Sequence, residues 1–299
     1  MVIDSNPALH YEYQKWWKYF LMPILEYPIS FWVAVKKLFN GGKLKTNYFW
    51  IDGISPICRE IKENATNWRA LDTIYNYQPK KGNLVDSLTR FWMENVVNVK
   101  AVRNRLKLIK EKLNKAIKEI LLKNKEVKIF SIASGSAQAL IEIISEFKKQ
   151  NILIKAILLD LDPTAIKYSK NLAKKFNVLD QINFANKSTR DLENVVGNFK
   201  PNIIEMVGFL EYRPEEKAVN IIQRIYNILQ PEGIFITSNI RNNLEGFFLN
   251  YVIDWPMVYR SPEEFAKILT EGGFSPENFE IIYEPLKLHG IAVCKKKNK

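Results

Sequence analysis

The pattern of apolar and polar positions changes character near residue 127. Beyond it, short apolar runs alternate with amphipathic segments of about 10 to 15 residues, as expected for strands separated by helices. The predicted strands are residues 127–132, 152–159, 182–184, 203–207, 233–237, 279–283 and 290–294, and the main predicted helices are 137–149, 163–176, 214–229 and 262–271. This alternation predicts an α/β fold with a doubly wound, seven-stranded and mostly parallel sheet. The last two strands are joined without a helix, so we expect the final strand to run antiparallel.

The first part of the chain has a helical pattern instead. Aromatic residues are dense over residues 11–39, where Pro23 and Pro28 interrupt them. Because proline breaks a helix interior, this segment is predicted to form two or three short helices. Further helices are predicted over residues 53–78 and 86–122, and the second of these has apolar residues at helical spacing with no proline or glycine. The whole N-terminal region is therefore expected to be helical.

Charge separates the same two parts of the chain. The 299 residues carry a formal net charge of +12. Residues 1–126 hold 22 Lys and Arg against 12 Asp and Glu, whereas residues 127–299 hold 22 against 20. A basic first part can attract nucleic acid, an anionic membrane surface or an acidic substrate, although lysines that only solvate helix faces give the same excess. The oligomeric state is left open.

Composition excludes several classes of protein. With 47% hydrophobic and 25% charged residues, the chain is globular rather than disordered or collagen-like. Two cysteines, Cys58 and Cys294, are too few for a disulfide scaffold or a cysteine zinc cluster, and we predict no metal site. The chain opens without a signal-peptide pattern, and its most apolar stretch, residues 16–39, is interrupted by charges and two prolines. We therefore expect a cytoplasmic protein.

The turn after the first predicted strand carries the first candidate chemistry. Small residues, Ala133 to Ala137 with Gly135 at the centre, let a ligand approach the backbone, and the free amides at the following helix start favour a carboxylate or phosphate. Asp160 ends the second strand 25 residues after Gly135, close to the spacing at which an acid reaches a ribose hydroxyl pair. This arrangement is typical of an adenosine-type nucleoside site, although a plain structural turn has the same degenerate sequence. No G-x-G-x-x-G motif is present, which argues against a dinucleotide enzyme.

In its order of segments the second part resembles the class I S-adenosylmethionine-dependent methyltransferases over residues 127–295. The resemblance rests on three segments in particular: Ser131-Ile-Ala-Ser-Gly-Ser-Ala137, Leu159-Asp-Leu-Asp-Pro163 and Asn202-Ile-Ile-Glu-Met-Val-Gly-Phe-Leu-Glu-Tyr212. It implies a Rossmann-like S-adenosylmethionine-binding domain over residues 127–299, with residues 1–126 as a helical cap or lid. Two positions depart from the family pattern: the usual acid of the first turn is Ser131, and the first and third glycines are Ala133 and Ala137.

The resemblance also assigns the parts of the cofactor. Its methionine end would lie over Ala133, Ser134, Gly135 and Ser136, and its ribose at Asp160 and the adjoining Leu161. The adenine would lie near Asn186 and Ser188. The methyl end would be lined by Glu205, Met206 and the two residues that follow. Arg103 or Arg105 could hold the carboxylate through a bidentate pair, or could belong to a solvated helix face.

Four residues are candidates for a catalytic role at the carboxyl ends of the strands. His289 is one of only two histidines, and it would be a base for a hydroxyl acceptor or a hydrogen-bonded turn residue. Glu205 is an acid in a buried strand, which is unusual without a partner, and its alternative role is a structural hydrogen bond. Tyr212 and Asn239 lie in strand-end loops, where packing is the other interpretation.

Together these observations predict a methyltransferase that acts on a small molecule, aromatic or lipid-like, by in-line displacement from the sulfonium of the cofactor. Residues 255–259, with Trp255 and Tyr259, are a candidate acceptor pocket. An RNA methyltransferase remains an alternative because the first part is basic. A non-catalytic binding or adaptor protein is another, because Ser131 replaces the usual acid. The sequence does not identify the acceptor.

Overall fold

The computed structural model describes residues 2–4, 10–42, 44, 46 and 49–297. Its strands are β1 (Val2–Asp4), β2 (Val127–Ile132), β3 (Ile154–Asp160), β4 (Ile182–Asn186), β5 (Ile203–Met206), β6 (Ile234–Ile240), β7 (Phe279–Tyr283) and β8 (His289–Lys295). All seven predicted strands are therefore present. The N-terminal region adds an eighth, β1, which is too short to show a hydrophobic pattern.

The strands form one sheet with the order β1-β7-β8-β6-β5-β2-β3-β4. All neighbouring pairs are parallel except those of β8, which runs antiparallel to β6 and to β7, as predicted. The chain proceeds from β2 through β3 to β4 in one direction and from β5 to β6 in the other. The strand order thus reverses between β2 and β5, and in such sheets a ligand cleft opens beyond the carboxyl ends of the strands at this point.

Eleven α-helices surround the sheet in the described part of the chain. The N-terminal ones are α1 (Trp16–Phe39), α2 (Pro56–Glu63), α3 (Trp68–Tyr75), α4 (Leu84–Asn95) and α5 (Val97–Lys123). The others are α6 (Gln138–Lys148), α7 (Pro163–Lys175), α8 (Leu192–Val196), α9 (Glu215–Ile228), α10 (Gly246–Tyr251) and α11 (Pro262–Glu271).

The N-terminal helices differ from the prediction in their bounds. The prediction of two or three short helices over residues 11–39 was wrong, because α1 is continuous through Pro23 and Pro28. Each internal proline costs about 3 kcal/mol. The helix packs against α10, and its Met22 and Val33 are buried in the core that the two helices share. The predicted helix over residues 53–78 is divided into α2 and α3, and the predicted helix over residues 86–122 is divided into α4 and α5.

The buried side chains form two cores on the two faces of the sheet, a third among the N-terminal helices, and a small fourth cluster between α5 and the loop from β7 to β8. The third core also takes in residues 248–255, which follow β6. The long helix α5 joins the larger cores, since Val99 packs among the N-terminal helices and Leu113 and Ile117 pack on the sheet. A division of the chain at residue 126 stays a prediction.

Among the helices that the structure describes, none combines the length and the apolar character that a membrane span requires.

Candidate active site

A cavity of about 660 Å³ opens at the carboxyl ends of β2, β3 and β5, where the strand order reverses. Its floor is the turn that joins β2 to α6. Its walls come from the end of β3, the loop after β5, and the helices α3 and α5. The lining residues include Trp68, Leu71, Tyr75, Arg105, Ala133, Ser134, Gly135, Ser136, Asp160, Asp162, Glu205, Gly208, Glu211, Tyr212, Pro256, Met257 and Val258.

The floor of the cavity is a tightly wound turn. Ala133, Gly135 and Ala137 all have a φ between +51° and +54°, a region that glycine adopts freely and alanine adopts at a cost of about 1–2 kcal/mol. The Ser134 N–H donates to the carbonyl of Leu159 (3.0 Å), which ties the turn to β3. The two alanines that replace the family's glycines thus adopt a glycine-like backbone.

Asp160 connects this turn to the end of β3. Its Oδ2 accepts a hydrogen bond from the Gly135 N–H at 2.8 Å, and its Oδ1 accepts one from the Asp162 N–H at 2.8 Å. Burial raises the pKa of Asp160, and these backbone donors lower it. The carboxylate is therefore fixed in orientation at the edge of the cavity, with lone pairs left for ligand hydroxyls.

Glu205 stands on β5 beside the turn. Its Oε2 accepts a hydrogen bond from the Ser131 hydroxyl at 2.5 Å, across neighbouring strands in which the two residues are paired. Burial raises the pKa of Glu205 to about 7, although the Ser131 hydroxyl and the Arg105 charge both lower it. A carboxyl group that titrates near neutrality therefore faces the cavity.

Of the two candidate arginines on α5, only Arg105 lines the cavity. Its guanidinium is buried and donates to Glu211 Oε1 and to the Tyr75 hydroxyl, both at 3.0 Å. Arg103 instead forms a two-point ion pair with Glu12. Arg105 thus brings a fixed positive charge to the wall opposite the turn.

Helix α3 lies directly over the turn. A Cβ placed on Gly135 would come within 3.0 Å of the Trp68 Cβ, so the two backbones are in close contact. The Trp68 indole N–H donates to Asp162 Oδ2 at 3.0 Å, and its ring lies 4.8 Å from that of Tyr168. The Tyr168 hydroxyl donates to Asp72 at 2.9 Å. These contacts join α3 to the end of β3 and to α7, so α3 covers the cavity from above.

The remaining wall is largely apolar and includes Tyr212, Pro256, Met257 and Val258. The Tyr212 hydroxyl accepts a hydrogen bond from the Trp255 indole at 2.7 Å, and burial raises the pKa of Tyr212. The phenol is therefore neutral and held in place. Residues 256–258 of the predicted acceptor pocket thus line the cavity.

Six of the predicted site residues do not line this cavity: Leu161, Asn186, Ser188, Met206, Asn239 and His289. Leu161 and Ser188 line a separate surface depression. The Asn186 amide donates to the carbonyls of Asp160 and Leu161 (3.0 and 2.9 Å), and Met206 is buried in the core.

Asn239 holds the loop that carries Glu211 and Tyr212 rather than facing the cavity. Its Oδ1 accepts a hydrogen bond from Arg260, which also donates to the carbonyls of Leu210 (2.9 Å) and Arg213 (2.5 Å). The side chain is buried.

His289 is 2% exposed and lines a second, mostly apolar cavity of about 30 Å³ behind Arg105 and Tyr212. Burial, and then the Arg105 charge, lower its pKa well below the usual range. Its ring nitrogens have no hydrogen-bond partner among the described residues. The histidine is therefore neutral and does not reach the large cavity, so a role as base has no geometric support.

The sequence pattern did not point to the contribution of α3. Trp68, Leu71 and Tyr75 belong to no motif, and they reach the cavity only because α3 packs across the turn. One signal was present: Asn67 accepts the Arg69 N–H as a helix cap, and an asparagine ahead of an amphipathic segment marks a helix start.

Solved structures with a similar fold include proteins from two bacteria. A "possible exported protein" from Bordetella parapertussis has a TM-score of 0.65 at 14% identity, covering 98% of this chain and 99% of that one. Magnesium protoporphyrin IX methyltransferase from Synechocystis PCC 6803, with bound SAH, has a TM-score of 0.55 at 13% identity, covering 80% and 98%. The CMeT domain of citrinin polyketide synthase has a TM-score of 0.51 at 12% identity, covering 77% and 60%.

No curated protein matches the chain at a significant level. The model of a family described as "Putative methyltransferase" matches residues 62–281. That range is more than half of the chain, and it includes every residue named above as lining the large cavity. The chain belongs to this family of methyltransferases.

Proposed function

We propose that the protein is an S-adenosylmethionine-dependent methyltransferase that acts on a small-molecule acceptor. The observation that carries the proposal is the meeting of three features around one cavity: the Ala133–Ala137 turn, the Asp160 carboxylate and the Glu205 carboxyl group. The size of the cavity, about 660 Å³, suits a cofactor together with part of an acceptor.

The residues present fit the chemical groups of this cofactor. Asp160, oriented by two backbone amides, would accept hydrogen bonds from the ribose hydroxyls. Glu205 would accept hydrogen bonds from the ammonium group, and Arg105 and the start of α6 would face the carboxylate. When bound, S-adenosylmethionine supplies a methyl group on an activated sulfonium. Glu205 would thus take the place of the acid that the family usually has at position 131, where this chain has a serine.

The apolar wall supports an aromatic or aliphatic acceptor as part of this proposal. Pro256, Met257 and Val258 would pack against an aromatic or aliphatic acceptor. Tyr212 belongs to the same wall, and the hydrogen bond from the Trp255 indole fixes its hydroxyl. The chain's own contribution to transfer would be alignment and exclusion of water, because in-line displacement from a good leaving group gains most from placement. A cytoplasmic location stays part of the proposal, supported by the two free, buried cysteines.

Calorimetric titration with S-adenosylmethionine tests the proposal, with Asp160→Asn as the variant. Losing the charged acceptor is expected to weaken binding by about tenfold or more, since hydrogen bonds to charged groups contribute about 1.5–3 kcal/mol. The matched control is Asp180→Asn, an exposed aspartate that pairs with Lys148 near the amino end of β4, away from the cavity. No binding by the native protein, or equal binding by both variants, would contradict the proposal.

A further inference from the structure

The outward face of α1 is apolar to an unusual degree. Large hydrophobic side chains stand exposed along its whole length: Trp16 (76%), Trp17, Leu21, Ile24 (66%), Leu25, Tyr27, Phe31 (65%), Trp32, Leu38 (81%) and Phe39. At 3.6 residues per turn these positions fall within about half of the helix circumference, so they lie on one side of the helix. Exposed apolar residues are common singly, but a continuous face of this length marks an interaction site.

The inward face of the same helix is more polar than the outward one. It buries Met22 and Val33 together with Glu26 and Ser30. The Glu26 carboxyl is 1% exposed, and burial raises its pKa to about 9, with a further contribution from Glu245. Glu26 is the only acid between residues 16 and 39, so the outward face carries no negative charge.

Lysines flank the apolar face at both ends of α1. Lys15 and Lys18 stand at its start and Lys36 at its end, whereas Lys37 is largely buried and forms an ion pair with Asp254. The Lys18 ammonium lies 5.4 Å from the centroid of the Trp17 ring, and the Lys36 ammonium lies 5.3 Å from that of Trp32. Tryptophan rings beside lysines are typical of helices that lie in the interface between lipid headgroups and acyl chains.

We propose that the exposed face of α1 docks flat on the surface of an anionic lipid bilayer. The 24-residue helix is about 36 Å long, and it does not have the apolar character of a membrane span. Its lysines match the negative headgroups, whereas a second copy of this chain would bring positive ends together with no acid on the face to pair them. Lipid is therefore the occupant that the charge favours.

This face adjoins the acceptor wall of the large cavity. The Tyr27 ring of α1 stacks on Phe247 with centroids 6.2 Å apart, and both belong to a region where a groove of about 870 Å³ runs along α10. Pro256 and Met257 line both this groove and the cavity at the carboxyl ends of β2, β3 and β5. An acceptor dissolved in the membrane would thus meet a path to the site, a consequence that rests on the proposed function.

Co-sedimentation of the full-length protein with vesicles tests the docking surface. We expect the protein to pellet with equimolar phosphatidylcholine and phosphatidylglycerol, and far less with phosphatidylcholine alone. The double variant Trp16→Ser with Phe31→Ser is expected to weaken partitioning about a hundredfold, at about tenfold for each buried ring that is lost. The matched control is Leu122→Ser with Leu153→Ser, which removes comparably exposed apolar side chains near the amino ends of β2 and β3 and should pellet like the native protein.

Circular dichroism and calorimetric cofactor binding accompany each variant, and both should remain as in the native protein. The proposal is overturned if the native protein stays in the supernatant, or if the α1 variant pellets equally. It is also overturned if sedimentation velocity shows a dimer that this variant dissociates while no vesicle binding is seen. If the α1 variant alone loses vesicle binding but the native protein binds no S-adenosylmethionine, the proposed function fails and the docking surface stands.

Discussion

Ser131 and Glu205 face each other across β2 and β5 and share one short hydrogen bond. A serine at position 131 removes an acid from the first turn, and by itself this suggests a weakened cofactor site. The structure places the Glu205 carboxyl group within reach of the same spot, from the neighbouring strand. Sequence reasoning could not show this pairing, because it depends on the register of two strands far apart in the chain.

The pKa of Glu205 predicts how cofactor binding depends on pH. Only the ionised carboxylate can pair with the cofactor's ammonium group, and the pKa of Glu205 is raised to about 7. The affinity is therefore expected to fall about tenfold per pH unit below 7 and to level off above it. Calorimetry between pH 5.5 and 8.5, in buffers of different ionisation enthalpy, would also detect the proton released on binding near pH 6 (roughly the range set by that pKa).

Glu205→Gln provides the control for this pH profile. The amide keeps the shape and the hydrogen bond to Ser131 but has no charge to titrate. We expect weaker binding at pH 8 and a flat profile between about pH 6 and 8. An unchanged slope in this variant would show that another group, such as Asp160, controls the dependence.

The turn between β2 and α6 predicts opposite effects for two small substitutions. Gly135→Ala places a methyl group at φ +54° and 3.0 Å from the Trp68 Cβ, so a loss of about 2 kcal/mol of stability is expected. Ala133→Gly relieves a residue at φ +51°, for an expected gain of about 0.5–1 kcal/mol after the entropy cost of glycine. Urea denaturation with an unchanged m-value would measure both, and a stabilised Gly135→Ala would refute this account.

At the scale of elements, α3 forms the wall of the site above the turn. It is held to the β3 side by the Trp68 bond to Asp162, by the Trp68 contact with Tyr168 and by the Tyr168 bond to Asp72. These are half-buried polar and aromatic contacts at the rim, which are weaker than a packed core. We infer that α3 opens to admit the cofactor.

Trp68→Ala tests this opening. Removing the indole deletes both its hydrogen bond and its ring contact, so the dissociation rate of the cofactor is expected to rise about tenfold with little change in the association rate. Stopped-flow displacement measures it. Trp68→Phe keeps an aromatic ring but loses the hydrogen bond, so its dissociation rate should lie between those of the native protein and Trp68→Ala. Trp32→Ala removes an exposed tryptophan of α1 and should match the native protein. Equal rates in all four proteins would contradict a lid role.

The elements of the second half of the chain were predictable because their patterns are local. The predicted bounds of these strands and helices agree with the observed bounds within a few residues, because the spacing of apolar residues follows which side chains are buried. The break between α4 and α5 is not local: the Glu245 carboxylate accepts the N–H groups of Val97 (2.6 Å) and Asn98 (2.8 Å), which starts α5 from 148 and 147 residues away. The hydrophobic pattern near residue 96 gives no indication of such a cap.

The same reason limits how much of the site could be read from the sequence. The turn, Asp160 and Glu205 lie at strand ends, and the topology of a parallel sheet brings strand ends together. Arg105 and α3 reach the cavity through helix packing, which one sequence does not specify. His289 also lies at a strand end, yet its side chain is buried. The residues between β7 and β8 form a tight hairpin, in which the Glu284 carboxylate accepts hydrogen bonds from three backbone N–H groups.

At the scale of the molecule, the helical region and the sheet share α5. Its buried residues on the sheet side are Leu108, Ile109, Leu113, Ala116, Ile117 and Ile120, each at most 3% exposed. Burying five large aliphatic side chains contributes on the order of 10 kcal/mol, at about 1.5–3 kcal/mol each. That is comparable to the whole stability of a typical domain. The sheet therefore depends on a helix that lies outside the predicted Rossmann-like domain.

A fragment of residues 127–299 is accordingly expected to lack cooperative folding, because the part of the sheet that α5 covers would be exposed. A fragment of residues 97–299 restores α5 and should unfold in one transition, with weaker cofactor binding because α3 is absent. Thermal unfolding followed by near-ultraviolet circular dichroism distinguishes the two. A shorter fragment that unfolds cooperatively and binds S-adenosylmethionine would instead establish an independent domain from residue 127, and the N-terminal helices would then be an attached cap rather than part of the core.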